Sequence, residues 1–360
     1  MSSFVKNAWY VAAWSGEIGR YPMARTILGE NLVFWRRQDG SPAALIDRCP
    51  HKLAPLSAGS LVGDDLQCGY HGMTFNSHGQ CVRIPGQIAI PPSACARPFP
   101  LLERFGAVWV WMGEPALADA SQIVEVRRYG EPGWGLVDGQ YLHFDCNYLN
   151  ITDNLVDPAH TTYVHRNTIG NAAAEDVSVK VEQGENHVLA YRWVNDSEPV
   201  PLVKAMGNFA GQVDRWQYYY LHLPSVSCVD FGSIAANREH SEQEMDAGLR
   251  SFSYNFLTPE TETTTHYFWL HLRNYQPDST QASAQVTQLM TDTFLEDAAI
   301  LALVQREQDR TGIREFVRLG IDNAPARIRR LIARRQEAEQ QMAQEAVSTA
   351  PPSSSQALTA

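Results

Sequence analysis

Residues 49–72 read CPHKLAPLSAGSLVGDDLQCGYHG, and this stretch decides how the rest of the chain is read. It holds two short halves, Cys49-Pro50-His51 and Cys68-Gly69-Tyr70-His71, with residues 52–67 between them. Each half sets a thiolate and an imidazole on a tight turn, made by Pro50 and Pro55 in the first and by Gly69 and Gly72 in the second. Two such loops can close over one inorganic unit. One cysteine from each loop then holds one metal, and one histidine from each holds the other.

That is the ligand set of a Rieske [2Fe-2S] centre, in which two histidines replace two cysteines on one iron. The competing reading is a structural zinc site of two cysteines and two histidines. Zinc sites space a cysteine pair by two to four residues, and a Cys-x-His half followed by a Cys-x-x-His half fits that pattern poorly. The cluster reading is preferred, with Cys49, His51, Cys68 and His71 as its ligands.

A chain of 360 residues is long enough for two domains, and 44% hydrophobic with 19% charged residues is an ordinary globular balance. The formal net charge of -11 argues against nucleic-acid binding, because no basic patch is supplied. Cys81, Cys95, Cys146 and Cys228 show no disulfide-framework spacing, and a labile cluster suits a reducing cytosol. The apolar run AWYVAAW at residues 8–14 is too short and too aromatic for a secretory signal. No window approaches the apolar length of a membrane span. A cytoplasmic protein that needs no membrane is expected.

Up to about residue 113 the chain reads as short strands between turns: AWYVAAW, NLVFWRR, PAALIDR, QCVRIPG and GAVWVWMG. The two cluster loops lie among them. From 177 to about 275, runs such as HVLAYRWV, RWQYYYLHL and THYFWLHLRN again read as strands, several alternating apolar with polar residues, as in a sheet with one buried face. Residues 281–311 turn helical, with Met290, Phe294, Leu301 and Val304 as an apolar stripe. A second, mostly polar helix follows in ARIRRLIARRQEAEQQMAQEA, and the low-complexity end STAPPSSSQALTA is expected to be disordered. The expected division is 1–114, 115–347 and a tail at 348–360. No internal repeat is evident.

A second metal site is suggested by NITDNLVDPAHTTYVH at residues 150–165. A helix starting near Thr152 would put Asp153, Asp157 and His160 on one face. His165 lies five residues past His160, too far round an ideal helix to meet it, so the helix must end or bulge between them. Asp297 falls inside the apolar stripe of the later helix. A carboxylate facing a core is costly unless it is ion-paired or bound to a metal. Glu296 lies off that stripe, which makes Asp297 the better ligand. Two histidines and one carboxylate form the facial triad of a non-haem Fe(II) oxygenase.

Together these segments resemble the α-subunits of Rieske non-haem iron aromatic-ring oxygenases. The likeness is greatest to the vanillate O-demethylase, dicamba O-demethylase and toluenesulfonate methyl-monooxygenase group. Besides the ligands it rests on NAWYVAAW, LIDRCPHKLAPLS, LQCGYHGMTF, DNLVDPAHTTYVH, VDRWQ, LTPETETTTHYFW and LEDAAIL, spread from about residue 4 to 335. The resemblance implies an α+β protein: an N-terminal all-β Rieske domain and a C-terminal catalytic domain with a helix-grip (START-like) antiparallel sheet. It implies that His160, His165 and Asp297 bind Fe(II), that Asp157 bridges the two centres between subunits, and that Asn154 stands near the iron without ligating it. It also implies a head-to-tail homotrimer, in which the cluster of one subunit faces the mononuclear iron of its neighbour.

In dicamba-type members the substrate contacts fall on the strands that here contain Asp230 and Asn255, so these two are the candidate substrate residues, the alternative being that both are ordinary strand residues. An acid at the first place and an amide at the second depart from that enzyme and speak against dicamba itself. No carboxylate-binding cation is evident among the residues expected in the pocket.

The chain has no Gly-x-Gly-x-x-Gly, no flavin signature and no four-cysteine ferredoxin run, so electrons must come from a partner. By the resemblance that partner is a reductase carrying FMN and [2Fe-2S], or a ferredoxin. The expected reaction is O2-dependent O-demethylation of a methoxy-arene with release of formaldehyde. The alternatives are methyl or ring hydroxylation of the phenoxybenzoate or toluenesulfonate kind, and an electron carrier without chemistry of its own.

Overall fold

Short runs of β-branched and aromatic residues closed by turns become ten strands in the first third of the chain. A computed structural model describes residues 4–166, 168–169, 174–199, 203–204, 209, 211–314 and 316–349. The strands are β1 (Trp9–Trp14), β2 (Met23–Ile27), β3 (Glu30–Arg36), β4 (Pro42–Ile46) and β5 (Ser60–Val62). Then come β6 (Asp65–Gln67), β7 (Thr74–Phe75), β8 (Cys81–Arg83), β9 (Leu101–Arg104) and β10 (Ala107–Trp111). They form three small sheets, ordered β1-β10-β9, β2-β3-β4 and β5-β6-β7-β8. The cluster loops lead into and out of the β5–β6 hairpin.

The later strands are β11 (Gly135–Phe144), β12 (Lys180–Gln183), β13 (His187–Ser197), β14 (Val213–His222), β15 (Val226–Ala235), β16 (Leu249–Pro259) and β17 (Thr265–Arg273). They make one antiparallel seven-stranded sheet in the order β11-β17-β16-β15-β14-β13-β12. The helices are α1 (Tyr148–Leu155), α2 (Thr161–Val164), α3 (Glu242–Ala247), α4 (Thr280–Thr311) and α5 (Asn323–Thr349). The molecule is therefore α+β, with a β-rich N-terminal part and an antiparallel sheet gripped by helices. Among the described residues no helix is long and apolar enough to cross a membrane.

The two parts share their cores. Side chains alternate across a strand, so β1 and β10 serve two layers at once. Tyr10, Val108 and Val110 pack with Ile328 and Ile332 of α5. Trp9, Trp14, Trp109 and Trp111 face the other way, onto Phe252, Tyr254 and Phe256 of β16 and Phe268 and Leu270 of β17. Each large apolar side chain buried there contributes about 1.5–3 kcal/mol. This layer accounts for a departure from expectation. The sheet is not half-exposed at β16 and β17, which are buried almost throughout, because β1 and β10 cover one face and helices cover the other.

Three further expectations shift. α1 begins at Tyr148, not near Thr152, because Asn147 caps it by accepting a hydrogen bond from the Leu149 N–H at 2.9 Å. On α4 the buried stripe runs through Val286, Met290, Phe294, Asp297 and Leu301. Val304 is exposed, and Gln305 and Gln308 turn inward beside it to hydrogen-bond the Asn150 amide. The expected disordered end is helical at Ser348 and Thr349, and residues 350–360 lie outside those described.

Candidate metal centres and active site

Both cluster loops close by one rule. The Cys49 N–H donates to the Ala54 carbonyl at 2.9 Å while the Cys49 carbonyl accepts from Leu53 at 3.0 Å. The Cys68 N–H donates to Met73 at 2.8 Å while the Cys68 carbonyl accepts from Gly72 at 3.0 Å. The fifth residue of each loop, Leu53 and Gly72, is left-handed, with φ of 61° and 73°. At Gly72 a Cβ would also meet the Pro85 ring at 2.9 Å, so glycine is needed there.

These turns bury both sulfurs, Cys49 and Cys68 each being 2% exposed, in a core with Leu56, Leu66 and Phe75. The His51 and His71 rings stand outward with centroids 4.6 Å apart. Burial raises the Cys49 thiol's pKa, the Cys68 sulfur beside it adds to that, and the backbone N–H groups of His51 and Lys52 oppose it. Two adjacent buried sulfurs, that of Cys49 facing N–H groups, and two exposed imidazoles fit a [2Fe-2S] unit with cysteines inside and histidines outside.

The second centre is assembled from α1, α2 and α4. α1 stops at Leu155, and Pro158 follows two residues after its C-cap Val156. The chain restarts as a single turn, α2, with His160 at its N-cap and His165 at its C-cap. The break thus falls before His160 and not between the two histidines. Their rings meet at 5.1 Å, with the Nε2 atoms 3.2 Å apart. Arg192, itself 3% exposed, holds the turn by donating to the Pro158 carbonyl at 3.1 Å and the Ala174 carbonyl at 2.8 Å.

Asp297 arrives from α4, 4% exposed, and its Oδ1 lies 3.6 Å from His160 Nε2 and 3.3 Å from His165 Nε2. The three donor atoms lie within 4.8 Å of one another, close enough to hold one metal ion. Among the described residues no arginine or lysine pairs with Asp297. The Asn154 amide donates to the same Oδ1 at 3.0 Å and steadies it.

The far nitrogen of each ring is committed elsewhere. His160 Nδ1 meets the Asp157 carbonyl, and His165 Nδ1 lies 2.9 Å from the Glu296 carboxylate. Both partners can only accept, so each ring carries its proton on Nδ1 and presents a bare Nε2 to the centre. Burial lowers the His160 pKa and favours the neutral imidazole that a metal needs. Burial also opposes charge on His165, but Asp297 and Glu296 outweigh it and raise that pKa. A divalent cation can take the place of that proton. This donor set fits mononuclear non-haem iron.

A cavity of about 140 Å³ opens from this triad across β14–β17. A cavity near 150 Å³ takes a benzene-sized ring. Its walls are apolar at Leu155, Val229, Phe231 and Phe294, and polar where Asn255, Ser253 and His271 enter from β16 and β17. Asn255 is 0% exposed, yet among the described residues neither atom of its amide has a partner; the same holds for both nitrogens of His271. Burial pushes His271 down to about 3, so its ring is neutral. Unpaired buried polar groups are costly and call for a ligand or water.

Several site expectations change here. Asn255 does face the cavity. Asp230 does not: alternation on β15 points it to the opposite side, where it accepts from Arg250 Nε at 3.0 Å and Trp216 Nε1 at 2.9 Å. It is a buried ion-pair partner. Asp153 leaves the centre to bind Arg329 of α5 with both oxygens, at 2.8 and 3.0 Å. Asp157 sits half-buried in the turn, capping the Ala159 N–H at 2.8 Å. Glu296 was passed over because it lies off the apolar stripe, and nothing in its own position reveals that it reaches His165. The cavity also has a cation, Arg215. The run VDRWQYYY could have revealed it, since period-2 alternation groups Arg215 with Gln217 and Tyr219.

Residues 144–338 match the vanillate O-demethylase oxygenase C-terminal domain, and residues 8–94 match the Rieske [2Fe-2S] domain. The chain belongs to the Rieske oxygenases. It is 38% identical to the putative toluene-4-sulfonate monooxygenase system iron-sulfur subunit of Comamonas testosteroni, over 88% of this chain and 93% of that one. It is 34% identical to a vanillate O-demethylase oxygenase subunit of a Pseudomonas species, over 96% of this chain and 98% of that one. The crystal structure of dicamba monooxygenase bound to 3,6-dichlorosalicylic acid superposes with a TM-score of 0.86 at 34% identity, covering 93% of this chain and 98% of that one. The Rieske oxygenase carries two cofactors, the [2Fe-2S] cluster and mononuclear iron.

Proposed function

We propose that this Rieske oxygenase O-demethylates a methoxy-arene. The observation that carries the reading is the His160–His165–Asp297 triad at the end of a cavity sized for one aromatic ring. When bound, the iron supplies O2 activation and the cluster supplies electrons one at a time. Oxygen insertion into a methoxy C–H bond gives a hemiacetal, which collapses to a phenol and formaldehyde. O2 and two electrons with two protons are consumed, and the second oxygen atom leaves as water.

The chain's own residues have separate tasks in this reading. Cys49, His51, Cys68 and His71 hold the cluster. His160, His165 and Asp297 hold iron, Glu296 keeps His165 in the ligating tautomer, and Asn154 aims the Asp297 carboxylate without ligating. The apolar walls keep water from the reacting carbon. Asn255 and His271 offer hydrogen bonds that orient the ring. Asp157 receives a cluster histidine of a neighbouring subunit in a head-to-tail homotrimer. The chain divides after residue 114 into an electron-receiving part and a catalytic part that runs to 347.

The named relatives are oxygenase parts of larger systems, which supports a separate electron donor, a reductase with FMN and [2Fe-2S] or a ferredoxin. Six cysteines outside any disulfide and a labile cluster suit the reducing cytoplasm. A second reading, hydroxylation of an aromatic methyl group, is favoured by the toluene-4-sulfonate relative. Holoenzyme, a surrogate reductase and NADH, supplied with methoxy-, methyl- and unsubstituted arenes, separate the two. Formaldehyde formed in step with O2 use supports demethylation. Substrate loss without formaldehyde moves the assignment to hydroxylation.

A further inference from the structure

Arg215 stands apart from the other half-buried and buried arginines around the sheet. Arg250 is neutralised by Asp230, Glu242 and Asp246, with contacts of 2.5 to 2.8 Å. Arg192 donates to two carbonyls and to the Gln217 amide oxygen. Arg273 does not line the cavity, and one of its terminal nitrogens is spent on the loop into α4. Arg215 lines the cavity and, among the described residues, has neither a carboxylate nor a hydrogen-bond partner. It is also the one arginine or lysine among the described lining residues. Burial pulls its pKa down, the nearby Arg192 charge adds to that, and Tyr219 opposes it.

Its position within the cavity is ordered. Arg215, Gln217 and Tyr219 are alternate residues of β14, and all three line the cavity. Tyr219 lies close enough to both Arg215 and Asp297 to feel their charges, and all of them line the same cavity. From Arg215 to Tyr219 is about 13 Å along the strand, part of which the arginine side chain spans. Across the pairing, Arg215 faces Ser233, whose buried hydroxyl has no partner among the described residues. Asp297 is the one carboxylate among the described lining residues, and Asn154 and the two histidines already hold it.

We propose that Arg215 is the anion anchor of the cavity and selects aromatic acids, carboxylate or sulfonate, over neutral arenes. The guanidinium binds the acid at one end of the cavity while the substituent to be oxidised reaches the triad at the other. A desolvated fork of N–H donors with no internal counter-charge binds an oxyanion through charge-assisted hydrogen bonds. The assignment rests on the oxygenase reading of this cavity but not on which substituent is oxidised.

The test is equilibrium binding to intact holoenzyme, without O2 or reductant, using 4-methoxybenzoate, 4-methoxybenzamide and toluene-4-sulfonate. The unaltered protein binds both acids more tightly than the amide, by about ten- to a hundredfold. In Arg215→Gln that preference collapses to below about threefold through weaker acid binding. Arg215→Lys keeps the charge but loses the fork, and retains part of the preference. The proposal is overturned if the unaltered protein does not prefer the acids, or if Arg215→Gln keeps the preference. The cluster's visible spectrum reports folding. Should Arg215→Gln lose that spectrum, Arg215→Lys decides alone: weakening acid and amide equally overturns the anchor. Formaldehyde is scored separately on the same ligands. Acids that bind through Arg215 without yielding formaldehyde leave the anchor standing and remove O-demethylation. Formaldehyde from a protein indifferent to charge does the reverse.

Discussion

Two histidine pairs serve this chain, and their ring separations are nearly equal: 4.6 Å for His51 and His71, 5.1 Å for His160 and His165. Their surroundings are opposite. The first pair is exposed on two short turns whose cysteines are sunk beneath it. The second is turned inward, His165 being 2% exposed, and it depends on a carboxylate more than a hundred residues further along. An exposed pair gives electrons a short path from outside. A buried pair lets substrate and O2 meet away from bulk water. The contrast teaches that two similar imidazole pairs are set for different work by burial alone, the proposed cluster pair facing outward and the proposed iron pair facing inward.

The largest expected effect tests whether the two centres are separable. Asp297→Asn removes the negative charge that Asn154 steadies and that faces both His160 and His165. Turnover should fall by well over the roughly hundredfold that loss of a supporting group costs. Visible absorption of the cluster should persist. Cys68→Ser should do the reverse, erasing cluster absorption while iron analysis still finds the mononuclear site filled. Loss of both metals in either variant would sink the separation.

Next in size is Asp230→Ala, which strands Arg250 without its innermost partner. Removing one member of a buried pair costs about 3–5 kcal/mol, to be read as a shift in the urea midpoint. A change in substrate preference without destabilisation would return Asp230 to the pocket. Glu296→Gln releases the His165 tautomer, and iron affinity measured against a chelator should fall about ten- to a hundredfold. Cluster absorption should stay unchanged. The smallest effect belongs to Ile328→Val, under the core shared by both parts. A cost of about 1 kcal/mol in thermal or urea unfolding is expected, with both metal contents intact. Altered iron retention there would mean that the shared core couples the centres.

Much of this molecule was legible in the chain alone. The two Cys/His loops were readable as tight turns because each is closed by hydrogen bonds spanning four or five residues, so spacing carries the geometry. The strands were readable for the same reason, since alternation is local and turns are marked by Gly, Pro and Asp. His160 and His165 showed themselves by type, and Asp297 by being a carboxylate in an apolar stripe.

What remained hidden depends on contacts between residues distant in sequence. No spacing tells that Glu296 rather than water meets His165, or that Asp153 is drawn away by Arg329. Alternation on β15 could say that Asp230 and Phe231 face opposite ways, but not which face holds the cavity. The cover that β1 and β10 lay over one side of the sheet decided that, leaving Arg215, Asn255 and His271 on the other. Local hydrogen bonding wrote the two Cys/His loops into the sequence; the packing of layers chose which polar side chains would be left unpaired in the cavity.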